Sequence, residues 1–72
     1  MVKILVVDDE KSIRTLCQEE LEDEGYEVVT TGLCGEVLGL IASAEPSVVV
    51  LDIRMEDCNG LDLLALLFDL FH

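Results

Sequence analysis

The chain has 72 residues, 51% of them apolar, with sixteen Asp and Glu against four Lys and Arg for a formal charge of −12. That length holds one domain at most, and the apolar share excludes a disordered chain. The acidic excess argues against direct binding to nucleic acid, which needs cations to release counterions, and against anionic membranes.

Ile4-Leu5-Val6-Val7 is a continuous apolar run with β-branched members. Such a run fits a parallel strand covered on both faces. It ends in Asp8-Asp9-Glu10. Ile13, Leu16, Cys17 and Leu21 then recur at helical spacing, and Gly25 stops that helix at a left-handed cap. Glu27-Val28-Val29-Thr30 predicts a second strand, its polar ends suited to a sheet edge. Thr31–Gly35 predicts a turn with two glycines. Val37, Leu38, Leu40 and Ile41 predict a second helix, weakened by Gly39. Pro46 ends it. Val48-Val49-Val50-Leu51-Asp52 predicts a third strand, Ile53–Asn59 a loop, and Leu61 to Leu70 a third helix. Strands alternating with helices imply parallel pairing and right-handed crossovers. The expected organisation is one α/β domain over residues 1–72, β-α-β-α-β-α.

The three cysteines, Cys17, Cys34 and Cys58, include no CxxC pair. No segment has the layout of a secretory leader. The longest apolar stretch, Leu63–Phe68, is far short of the roughly 20 residues of a membrane span. These features predict free thiols in a reducing, cytoplasmic setting.

In open parallel sheets ligands bind beyond the carboxyl ends of the strands. Asp8 and Asp9 follow the first strand and Asp52 follows the third. If those strands are neighbours, three carboxylates converge and a cation offsets their repulsion. Mg²⁺ suits the task, since it takes oxygen ligands and commonly joins one or two carboxylates to phosphate oxygens. Other roles stay open for each acid taken alone. Asp8 and Asp9 are favoured N-cap residues for the first helix, and Asp52 suits a strand-end turn.

The segments Leu5-Val6-Val7-Asp8-Asp9-Glu10 and Val49-Val50-Leu51-Asp52-Ile53-Arg54-Met55 together resemble those of receiver domains of two-component signalling. The resemblance reaches to about Leu64. It implies half of a flavodoxin-like doubly wound fold, with three parallel strands in the order 2-1-3 and three helices. It also implies that Asp8 and Asp9 bind Mg²⁺ and that Asp52 is the phosphoacceptor and a metal ligand. The backbone carbonyl of Arg54 would complete the metal set. The implied partner is a histidine kinase or a phosphotransfer protein, and the chain itself is expected not to be an enzyme. An aspartyl phosphatase would want a second acid two residues after the nucleophile, where Arg54 stands.

The sequence departs from the family in two places. The family's loop Met-Pro-x-x-x-Gly corresponds to Met55-Glu56-Asp57-Cys58-Asn59-Gly60, so Glu56 replaces a proline. The family's later strands carry a hydroxyl and a lysine that read the phosphoryl group, and no Ser, Thr or Lys follows Asp52 here. Lys11 and Arg54 are the nearby cations that could pair with a phosphate, although a solvated surface charge is the commoner role for each. A chain truncated after its third β-α unit is expected to leave the third strand at an open edge, a template for pairing. The third helix is apolar nearly all round, since only Asp62, Ala65 and Asp69 interrupt it. Both features predict a homodimer through the third strand and third helix, completing the fold. Two functions follow. One is a phosphoacceptor receiver module lacking its switching residues. The other is a non-switching structural or interaction homodimer that keeps the acidic metal site.

Overall fold

The computed structural model describes residues 1–52. Five elements follow in chain order: β1 (Lys3–Val7), α1 (Lys11–Asp23), β2 (Glu27–Thr31), α2 (Cys34–Ala44) and β3 (Val48–Leu51). The sheet has the order β2-β1-β3, with both pairings parallel. This is the expected order. The expected third helix, the 53–59 loop and Arg54 lie outside the described residues.

β1 is apolar on both faces because both are covered. Leu5 and Val7 pack with Val37 and Ile41 of α2, flanked by Val29, Val49 and Leu51. Ile4 and Val6 pack with Val28 under Cys17 and Leu21 of α1. Leu5, Val6, Val7 and Val37 are fully buried.

Local chemistry sets the ends of α1 and α2. Gly25 has φ 91°, a conformation that costs other residues roughly 1–2 kcal/mol. Its N–H donates to Glu22 O at 3.0 Å, and the Tyr26 N–H donates to Leu21 O at 3.1 Å. That pair of bonds is the Schellman closure expected of the glycine. α2 ends on Glu45, itself left-handed at φ 50°, with Pro46 next.

Three local expectations are corrected. The turn before α2 is shorter than Thr31–Gly35, because β2 runs through Thr31 and the helix begins at Cys34. The cause is Thr31, which is buried. Its Oγ1 accepts the Leu33 N–H at 3.1 Å and donates to Glu36 Oε1 at 2.8 Å, organising the helix start early. Neither Asp8 nor Asp9 is the N-cap of α1. Glu10 holds that position without a side-chain cap bond. Ile13 and Leu16 do not join the core, being 39% and 53% exposed. α1 leans on the sheet through Cys17 and Leu21 instead. The thiol expectation splits. Cys17 is free, whereas Cys34 is disulfide-bonded.

Candidate metal centre

Asp8 leaves the end of β1, and Asp52 leaves the end of the adjacent β3. Backbone bonds fix both exits. The Asp52 N–H donates to Val7 O at 2.9 Å, and the Asp8 N–H donates to Thr31 O at 3.1 Å. The Glu10 N–H donates to Asp8 Oδ1 at 2.9 Å. The Asp8 carboxylate thus shapes the β1–α1 turn, although it does not cap α1 from the N-cap position.

One carboxylate oxygen from each of Asp8, Asp9 and Asp52 lies within 4.8 Å of the others. Asp8 and Asp52 are half-buried and Asp9 is exposed. Two unit charges about 5 Å apart repel by about 3 kcal/mol at an effective dielectric near 20, less where solvent screens Asp9. A divalent cation converts that repulsion into attraction. The all-oxygen donor set fits Mg²⁺. A limit of 4.8 Å is close to the ~4.2 Å that spans a Mg²⁺ octahedron with ~2.1 Å bonds, so the three oxygens are near enough to share one ion.

The three acids singled out in the sequence are therefore brought together. Lys11 is exposed at the start of α1. The residue that sequence reasoning passed over is Arg14, whose Nη1 donates to the main-chain carbonyl of Asp8 at 2.7 Å. Its one signal in the sequence is a position six residues after Asp8.

The family model for the response regulator receiver domain matches residues 4–70. The chain belongs to that family. The match runs past the Leu64 limit of the recognisable motifs. The receiver chain is 39% identical over 70 residues to the response regulator SaeR of Staphylococcus epidermidis, covering 97% of the chain and 30% of that relative. It is 43% identical over 60 residues to the alkaline phosphatase synthesis transcriptional regulatory protein PhoP of Bacillus subtilis, covering 83% and 25%. It thus spans under a third of either curated relative. Among solved structures it superposes on the response regulator TrrA of Thermotoga maritima, in complex with Mg²⁺ and BeF, with a TM-score of 0.89 and 42% identity. That alignment covers 96% of the receiver chain and 60% of TrrA. TrrA in complex with the histidine kinase ThkA gives a TM-score of 0.88 at the same 42% identity, with the same 96% and 60% coverage. Receiver membership and the flavodoxin-like fold are thereby established. Among the described residues no helix is long and apolar enough to cross a membrane.

Proposed function

We propose that the receiver chain is a phosphoacceptor module of two-component signal transduction, acting in the cytoplasm, with Asp52 as the acceptor. The observation that carries this is the convergence of Asp8, Asp9 and Asp52 at the ends of β1 and β3. Asp8, Asp9, Asp52 and the Arg54 carbonyl would hold Mg²⁺. When bound, the ion neutralises charge on the transferring oxygens, so catalysis is mostly positioning and charge stabilisation.

A carboxylate oxygen of Asp52 attacks phosphorus in a phosphohistidine or a small phosphodonor. An O–P bond forms on Asp52 as the donor's own bond to phosphorus breaks, N–P in a phosphohistidine or amidophosphate and O–P in an acyl phosphate, with its electron pair returning to that nitrogen or oxygen. The product is an acyl phosphate on Asp52, and its added charge is the signal. The chain is an acceptor of the group and not itself an enzyme. A histidine kinase is the proposed partner, in keeping with the ThkA complex of TrrA. Residues 53–72 contain no Ser, Thr or Lys, so this stretch supplies neither a hydroxyl nor a lysine to read the phosphoryl group.

The test is to incubate the chain with Mg²⁺ and a small acyl phosphate or amidophosphate donor and measure its intact mass. A gain of one phosphoryl group that disappears in Asp52→Asn is expected. An equal gain in the variant removes Asp52 from the role.

A second reading, self-association without switching, is favoured by the outer strand. β3 stands at the sheet edge among the described residues. Val48 and Val50 are 47% and 46% exposed, and they lie level with Ile4 and Val6 on the face that carries α1. Two copies joined edge to edge through β3 would pair that open edge. Sedimentation at micromolar concentration is expected to give a dimer that Val50→Lys weakens. A compact monomer contradicts the pairing.

A further inference from the structure

Two segments distant in sequence converge on one carbonyl oxygen. From α1, the Arg14 Nη1 donates to Asp8 O at 2.7 Å. From the turn after β2, Gly32 lies beside the same guanidinium. A Cβ at position 32 would run into Arg14 Nη1, and would stand 3.1 Å from Arg14 Cζ and 3.4 Å from Asp8 O. At Gly25, Gly35 and Gly39 an added Cβ would meet nothing within 4 Å. Of these four glycines, Gly32 alone has a neighbour that a Cβ would displace, and that neighbour is the end of the Arg14 side chain.

We infer that Arg14 is a positioning residue for the metal centre and that Gly32 is the gap through which it reaches, an inference that rests on the Mg²⁺ reading of the acidic trio. The bond to Asp8 O holds the peptide plane between Asp8 and Asp9. That plane sets the directions in which both carboxylates leave the backbone. The Asp8 N–H on Thr31 O and the Asp8 Oδ1 on the Glu10 N–H fix the other side of the residue. A guanidinium donor makes this a charge-assisted bond, stronger than a neutral one. Its contact is to a backbone oxygen, so it brings positive charge to three acids while bonding to none of the three ligand oxygens. Groups that orient metal ligands in this way commonly change metal affinity about 10–100-fold when removed.

The test is Mg²⁺ titration by calorimetry of the 72-residue chain, each variant held well below its own Tm. Arg14→Met and Gly32→Ala are each expected to weaken Mg²⁺ binding about tenfold. Arg14→Lys regains most of the loss, because an ammonium also donates to a carbonyl. The double variant Arg14→Met with Gly32→Ala loses no more than the weaker-binding single, since both remove one contact. A purely structural role would lower Tm and leave affinity alone, and that result overturns the inference. So does a double variant whose losses multiply. If Arg14→Met fails to fold, Gly32→Ala decides, since it displaces the guanidinium without deleting it. Absence of Mg²⁺ uptake by the unaltered chain would instead remove the metal reading itself, and this inference with it. Uptake by the unaltered chain and equal uptake by the variants removes this inference alone.

Discussion

Asp9→Ala is expected to weaken Mg²⁺ binding by about 100-fold or more. Loss of a group that merely orients a ligand costs about 10–100-fold, and loss of a ligand costs no less. Asp9 suits the test because it is exposed, so its removal spares the core. Asp8 suits it less well, because its Oδ1 also accepts the Glu10 N–H and shapes the turn. Removing one of three crowded acids relieves repulsion in the metal-free protein, so the apo Tm of Asp9→Ala should be equal or higher. Mg²⁺ should raise the Tm of the unaltered chain, since a ligand at ~100 times its Kd stabilises by about 2.7 kcal/mol. The variant should lose that rise over the same concentration range. Equal Mg²⁺ affinity in the two proteins would take Asp9 out of the ligand set.

Leu5→Ala is expected to unfold most of the chain at 25 °C. Leu5 is fully buried at the centre of the sheet, against Val37 and Ile41. Truncating a buried leucine costs about 2–5 kcal/mol, and a domain of this size rarely holds more than about 3–5 kcal/mol. Glu19→Ala is the control, on an exposed position of α1, where substitutions commonly stay within about 0.5 kcal/mol. Far-UV circular dichroism and urea unfolding read both variants at matched protein concentration, because association makes stability concentration-dependent. A cooperative transition for Leu5→Ala with the midpoint of the unaltered chain would contradict the packing described for β1.

The parts of the fold legible in the sequence are those with a local cause. β1 announced itself as a continuous apolar run because both its faces are covered, and Gly25 marked the end of α1 because only glycine takes φ 91° readily. The acids were legible for a related reason: Asp8 and Asp52 end apolar runs, and adjacent parallel strands finish at one edge. What escaped depends on which remote segments meet. Arg14 reads as an ordinary helix-surface cation until Gly32 and Asp8 are placed beside it. Ile13 and Leu16 fit the helical period of a core face, yet α1 buries Cys17 and Leu21 more deeply. Thr31 looked like a turn residue and is instead a buried hydroxyl linked to Glu36. The Cys34 disulfide could not be inferred from spacing, since bridging requires Cα atoms within about 7 Å.

Asp52 as phosphoacceptor is tested most directly by locating the phosphoryl group chemically. The chain is treated with a small phosphodonor, with Mg²⁺ or with a chelator, then reduced with borohydride, which converts an aspartyl phosphate to homoserine. Peptide mass spectrometry should find homoserine at position 52 in the Mg²⁺ sample and aspartate there in the chelated one. Aspartate at position 52 in both samples, with donor in excess and Mg²⁺ bound, would contradict that role and leave the acidic trio as a metal site alone.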